Sequence, residues 1–248
     1  MISNNVFMRN KLGIISGMGT RAGLLFLNKL MDKTDAKCDQ DFPEFIVHNN
    51  SQVPDRTLAI VYNEESPEYE LKRSLDILEK CEVDYIISTC VTSYYFLNQF
   101  DASDKSKLLN PIDLIANRLL KEYSHIQKIG LLATTGTINS KLFHDKFQSL
   151  PFELITLNKY DQEEKFMKSV YMEGGFKSSD ISDYAYDLFN EALESLIDND
   201  VQLIIGGCTE VQIGIKNAHV NIQFLDVIDV LVDEVVDIMN LKKIEIAL

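Results

Sequence analysis

The sequence predicts an α/β protein built as two pseudo-symmetric, doubly wound parallel-sheet lobes, with a site in the cleft between them. Three observations carry this prediction. Strand-like apolar runs alternate with amphipathic helical stretches, the pattern restarts half-way along the chain, and in each half an apolar run stops at small residues and then a cysteine. Those runs are YIISTC, ending at Cys90, and LIIGGC, ending at Cys208. Alternating strands and helices imply a parallel sheet covered on both faces, and such sheets bind ligands beyond the C-terminal ends of their strands.

In chain order, Lys11 to Ile15 reads as a strand ending in the small-residue loop Ser16 to Thr20, and an amphipathic helix follows from about Arg21 to Thr34. A second strand, Phe45 to Asn49, leads into the loop Ser51 to Thr57, where Pro54 and Asp55 signal a turn. Leu71, Leu75 and Leu78 give Glu68 to Lys80 a helical apolar face, and the Cys90 strand comes next. After Asn110-Pro111, a helix over Ile112 to Tyr123 leads to the strand Lys128 to Ala133.

Here the pattern repeats. LGIISGMGTRAG from Leu12 aligns with IGLLATTGTINS from Ile129, and SLDILEKCEVDYIISTC aligns with ALESLIDNDVQLIIGGC. Gly13 precedes Cys90 by 77 positions and Gly130 precedes Cys208 by 78. So long a period indicates a duplicated α/β unit, not a solenoid of short repeats. The tail, Ile222 to Met239, reads as a strand and a helix that packs back on the first lobe. The first lobe is therefore expected to span 1–111 plus 225–248 and to carry Cys90, and the second to span 112–224 and to carry Cys208. Gly174-Gly175 marks the expected flexible loop.

Composition excludes several classes. The hydrophobic share of 46% and charged share of 25% are those of a globular chain. A formal net charge of −14 with no Lys/Arg-rich block repels nucleic acid and anionic membrane surfaces, and an anionic substrate would need a local site of opposite sign. No apolar run approaches the roughly 20 residues of a membrane span, and MISNNVFMRN lacks a signal-peptide core, so a cytoplasmic protein is expected. Cys38, Cys81, Cys90 and Cys208 form no CxxC pair, and His48, His125, His144 and His219 are scattered singly, so no metal is expected. The glycines of SGMGTRAG make neither GxGxxG nor a P-loop, and no cofactor is expected.

A lone cysteine ending a strand is usually a small buried hydrophobe. Two at equivalent points of a duplication face each other across one cleft. Each stands near a helix start, which is expected to lower its pKa and let it act as base or acid. Two such groups on opposite sides of a carbon suit racemisation or epimerisation, in which a proton leaves one face and another arrives on the other.

At these residues the chain resembles the aspartate/glutamate racemase family, and its aspartate racemase branch most. GMGT (Gly17 to Thr20) resembles the family's GMGP, VPDRT (Val53 to Thr57) its PDRT loop, and GLLATTGT (Gly130 to Thr137) its LLAT-x-GT segment. STCVTSYYF is similar to the first cysteine motif, TPCNTAHYF, and GGCTE to the second. The resemblance covers Lys11 to Met239 and implies a cofactor-independent, homodimeric racemase in which Cys90 and Cys208 are the paired bases. It implies that Arg56 binds a substrate carboxylate, a task suited to a guanidinium. Met18, Gly19, Ser51, Val91, Thr92, Ser93, Thr134, Thr135, Thr137, Thr209 and Glu210 complete the expected substrate site, with hydroxyls and backbone N–H groups at strand ends.

The chain departs from the family at three points. Val91 replaces Asn, Ser93-Tyr94 replaces Ala-His, and the family's lysine has no counterpart in register, with Lys168 and Lys177 the nearest candidates. The expected substrate is aspartate, glutamate or a related amino acid or dicarboxylate, and Val91 favours a side chain larger or less polar than that of aspartate. A catalytically silent amino-acid-binding relative, or a superfamily isomerase with a different carboxylate substrate, is the competing expectation.

Overall fold

The computed structural model describes residues 10–100, 106–218 and 220–239. The stretch read for a signal peptide falls outside them except for Asn10, and His219 lies outside them too. The first half runs β1 (Lys11–Ser16), α1 (Thr20–Lys33), β2 (Glu44–Asn49), α2 (Arg56–Tyr62), α3 (Glu68–Lys80), β3 (Tyr85–Ser88), α4 (Tyr94–Leu97), β4 (Lys107–Leu108) and α5 (Pro111–Glu122). The second runs β5 (Lys128–Leu132), α6 (Thr135–Asn139), α7 (Leu142–Phe147), β6 (Glu153–Thr156), α8 (Lys168–Tyr171), α9 (Asp183–Ile197), β7 (Leu203–Gly206), α10 (Val211–Ile215), β8 (Gln223–Asp226) and α11 (Val227–Ile238). A π-helical stretch, Asp161–Met167, leads straight into α8. β4 and β6 were not legible as strands in the sequence, because one is only two residues long and the other lacks a bounded apolar run.

Each half forms a four-stranded parallel sheet, in the order β2-β1-β3-β4 and, equivalently, β6-β5-β7-β8. The duplication extends to single hydrogen bonds. Gly13 stands opposite Ile86 and Gly130 opposite Ile204. A Cβ on Gly13 would lie 3.1 Å from Leu78, and one on Gly130 would lie 2.9 Å from the matching Leu196, so each glycine lets a helix seat a leucine on the central strand. The loops before β3 and β7 turn through left-handed Glu82 (φ 55°) and Asp200 (φ 59°). Asp84 N then donates to Lys11 O at 2.8 Å, and Gln202 N donates to Lys128 O at 2.9 Å.

The closing helix of each half crosses to the other. α11 leaves the second sheet at Asp226 and lies against α1, with Lys29–Asp229 at 2.6 Å and a Lys33–Asp233 pair. α5 leaves the first sheet and meets α7, with Lys146–Asp113 at 2.6 Å. These partly exposed pairs contribute at most about 1 kcal/mol each, so apolar burial holds the exchange together. Leu12 and Phe26, Ile115 and Leu119, Ile129 and Leu131, and Leu231 and Val235 join in one continuous core.

Asp226 is the weak point of that core. Its Oδ1 caps α11 by accepting from Ile228 N at 2.7 Å, but its buried Oδ2 has no partner. Burial, reinforced by Asp229, raises its pKa well above the usual carboxylate range against the opposing Ile228 bond and Lys29. The folded chain thus holds this proton more tightly than the unfolded chain, whose value is about 3.9. The stabilisation is full below that value and is lost as pH rises through the folded one. Asp226→Asn, which can keep the cap, is expected to remove this loss and to raise stability at neutral pH, as read by urea denaturation across pH.

Candidate active site

The C-terminal ends of the two inner strands of each sheet converge on one cavity of about 260 Å³. Met18 follows β1, Cys90 follows β3, Thr134 follows β5 and Cys208 follows β7. All four line the cavity, with Arg56, Thr57, Val91, Thr92, Tyr171, Lys177, Thr209 and Glu210. A wider outer cavity of about 860 Å³ opens from it and shares Met18, Arg56, Lys177 and Glu210.

The two thiols have opposite surroundings. Cys208, 6% exposed, donates through Sγ to Glu210 Oε2 at 2.9 Å, and Thr209 Oγ1 donates to the same oxygen at 3.1 Å. Burial and the Glu210 charge push the Cys208 thiol well above its ordinary range, with Lys177 a lesser opposing influence. This reverses the expected lowering by a helix start. α10 has five residues and begins three positions after Cys208, so its few free N–H groups cannot outweigh a carboxylate in contact. Glu210 is itself packed across the cleft, since a Cβ on Gly19 would lie 2.9 Å from its Oε1.

Cys90, 7% exposed, faces a cation instead. Burial works against the Arg56 charge, but Cys90, then Asp55 and Tyr171, more than offset it and hold the guanidinium firmly protonated. Asp55 starts α2 by accepting from Thr57 N and Leu58 N, which places Arg56 in its first turn. Nη2 of Arg56 donates to Met18 O at 2.9 Å and Nη1 to Pro54 O at 3.1 Å, while the buried Nε has no hydrogen-bond partner. Two carbonyls therefore fix the plane of the fork beside Cys90.

Lys177 supplies a second cation. Its ammonium lies 4.3 Å from the Tyr171 ring centre, donates to the Tyr171 hydroxyl at 3.3 Å and stands 3.9 Å from Asp55. Burial opposes its charge, yet Glu210 and Tyr171 raise its pKa above the ordinary lysine value. Lys168 lies elsewhere, with its ammonium 5.7 Å from the Tyr184 ring. The Gly174-Gly175 turn that delivers Lys177 is tied down: Phe176 N donates to Ser169 O, Ser182 N donates to Gly174 O, and the Phe176 side chain is 1% exposed.

Of the other expected site residues, Gly19 and the exposed Ser51 line only the outer cavity. Ser93 does not line either: its hydroxyl is buried against Cys90 O at 2.6 Å and Ser88 Oγ at 2.8 Å. Thr137 stands behind the wall, bonded to Thr92 at 2.8 Å and Thr134 at 3.1 Å, where it braces the two hydroxyls that reach the cavity. Thr135 points away and donates to Glu163 at 2.6 Å in a neighbouring pocket. Tyr171 and Thr57 were not anticipated. Thr57 sits in the VPDRT motif next to Arg56, whereas nothing in SVYMEGGF marks Tyr171.

A family model of Asp/Glu/hydantoin racemases matches residues 15–235. The chain belongs to that family. Picrophilus torridus aspartate racemase is 28% identical, with a TM-score of 0.78 over 93% of this chain and 94% of that one. An aspartate racemase homologue from Pyrococcus horikoshii OT3 is 19% identical, with a TM-score of 0.67 over 93% of this chain and 99% of that one. Glutamate racemase from Francisella tularensis, solved with D-glutamate, is 18% identical, with a TM-score of 0.67 over 95% and 84%. The last two likenesses concern the fold, which is that of two-lobed racemases. Among the described residues no helix is long and apolar enough to cross a membrane.

Glu210→Gln removes the charge beside Cys208. Because that charge raises the thiol pKa, the substitution is expected to shift the pH profile of Cys208 alkylation by iodoacetamide to lower pH, as followed by mass spectrometry. An unmoved profile would break the link between the two groups.

Proposed function

We propose that the protein is a cofactor-independent amino-acid racemase in which Cys90 and Cys208 exchange protons with opposite faces of the substrate α-carbon. Family membership makes the chain an isomerase acting on amino acids. The observation that supports the two-cysteine reading is that both thiols line one small cavity from equivalent strand ends, one beside a cation and the other hydrogen-bonded to a carboxylate.

Arg56 and Lys177 give the cleft the local positive charge that a chain of net charge −14 needs to hold an anionic substrate. Arg56 is preset by its two carbonyl contacts for one carboxylate, and Lys177 serves a second. The hydroxyls of Thr92 and Thr134, 3.1 Å apart, add donors along the wall. The Val91 side chain offers no hydrogen bond, so a side-chain carboxylate is recognised by the cations and not by the side chain at position 91. The substrates that fit are aspartate, glutamate or a related amino acid.

In one direction the Cys90 thiolate takes the α-proton, and its electron pair stays on the substrate as a carbanion. The Cys208 thiol then delivers its own proton to the opposite face. Cys90 ends as thiol and Cys208 as thiolate, and the reverse reaction runs the same steps from the other side. Glu210 keeps the proton on Cys208 until the carbanion forms, and Lys177 offsets the two negative charges left after transfer. A homodimer and a cytoplasmic setting belong to the same reading on the strength of the family.

The test is chiral analysis of D- and L-amino acids with wild type, Cys90→Ala and Cys208→Ala. Each variant is expected to lose turnover by at least the roughly 10²–10⁴-fold of an acid–base group while still binding substrate. A protein that binds amino acids equally well in all three forms and racemises none is a binder, and the proposal fails.

A further inference from the structure

The cysteine cavity has a neighbour the proposed reaction does not use. A pocket of about 660 Å³ lies beyond its wall, open between Leu58, Val61 and Tyr62 on α2 and Glu163, Met167 and Lys168 on the π-helical stretch and α8. Two residues line both spaces, Tyr171 and Thr57. Thr57 is held: a Cβ on Gly136 would lie only 2.6 Å from its Oγ1, so α2 and α6 are in close contact there. Tyr171 is held far less. It is the last residue of a four-residue helix, is 39% exposed, and its hydroxyl makes one long contact to Thr57 at 3.5 Å and receives one from Lys177 at 3.3 Å.

We propose that the Tyr171 ring is the partition that sets substrate length: it closes the cysteine cavity to a short side chain and separates it from an adjoining pocket that would admit a longer one. This specificity role rests on the proposed racemase reading of the cavity.

The physical case has two further parts. The inner cavity, with the ring in place, is smaller than the space behind it, and the ring lines both. Because Tyr171 lines both spaces, removal of the phenol would join the two instead of opening a blind dent. The ring also carries Lys177 on its face at 4.3 Å, so the wall and the second cation occupy one position. A substrate carboxylate that reaches Lys177 does so against the ring, and the separation between Arg56 and the Tyr171–Lys177 pair fixes how far apart two carboxylates are accepted. Beyond the ring, Leu58, Val61 and Met167 offer apolar lining for added methylenes. The π-helical stretch that forms this wall is a geometry often found beside functional sites.

The experiment compares wild type, Tyr171→Ala and Tyr171→Phe on aspartate, glutamate and 2-aminoadipate. It reads kcat/KM from chiral turnover and Kd from calorimetry on each protein. One added methylene in a pocket is worth about tenfold or more in discrimination. Tyr171→Ala is expected to raise the preference for the longer acids over aspartate by about tenfold per methylene. Tyr171→Phe, which keeps the ring, is expected to hold the wild-type order. An equal fall for all three acids in Tyr171→Ala, with the order unchanged, would overturn the partition and leave Tyr171 a purely structural residue. The same overturning result is an altered order in Tyr171→Phe that matches the alanine variant. If wild type binds the acids but racemises none, the racemase reading falls, and the calorimetric order still decides the role of Tyr171. Absence of binding to any of them removes both.

Discussion

The hydrogen bond from the Cys208 thiol to Glu210, 2.9 Å long and buried, is the interaction on which the account of the site depends. It makes a symmetric scaffold electrically asymmetric. The two halves place their cysteines at equivalent strand ends, but one thiol meets a carboxylate and the other a guanidinium. A pair of identical thiols would have no preferred proton holder. Here the Glu210 carboxylate pushes the Cys208 thiol well above its ordinary range, whereas the Arg56 guanidinium stands beside Cys90, so the two thiols present different surroundings to the cleft.

That asymmetry can be maintained because the lobes are locked together around it. α11 packs on α1 and α5 on α7, and a single apolar core runs through both sheets. Small residues at the seam bring the lobes close: Gly19 lets Glu210 approach from the opposite lobe, and Gly136 does the same for Thr57. The cations are then positioned by backbone, with Arg56 fixed through the carbonyls of Met18 and Pro54, and Lys177 delivered by a turn whose amides bond back to α8 and whose Phe176 is anchored in the core. In a chain with a strong net negative charge, these two cations give the cleft a local positive field.

Much of this was legible in the sequence, for physical reasons. The duplication preserved Gly13 and Gly130, the apolar runs that follow and the thiols themselves, and each leaves a mark in a single sequence, whereas the left-handed Glu82 and Asp200 carry no such mark. Arg56 stood out through the VPDRT motif, but the stretch Ser51 to Thr57 read as a loop, and the short helix α2 that Asp55 caps there was missed. The hydroxyl residues were harder. Thr92 and Thr134 face the cavity whereas Ser93, Thr135 and Thr137 do not, because successive residues at a helix start point in different directions and the sequence does not give the angle. Lys177 and Tyr171 were hidden for another reason. The π-helical stretch and the glycine turn shift register between them, so spacing alone could not choose Lys177 over Lys168. The direction of the Cys208 shift also escaped, since it depends on a carboxylate in contact rather than on a short helix.

The most direct test of the two-base account is the fate of solvent deuterium in the first turnovers. With pure L-aspartate or L-glutamate in D₂O, the account predicts that early D-product carries deuterium at the α-carbon while the remaining L-substrate keeps its hydrogen, because the proton taken by one thiol is not the one delivered by the other. Deuterium appearing at equal rates in substrate and product would mean a single base serving both faces, and would contradict the paired roles of Cys90 and Cys208.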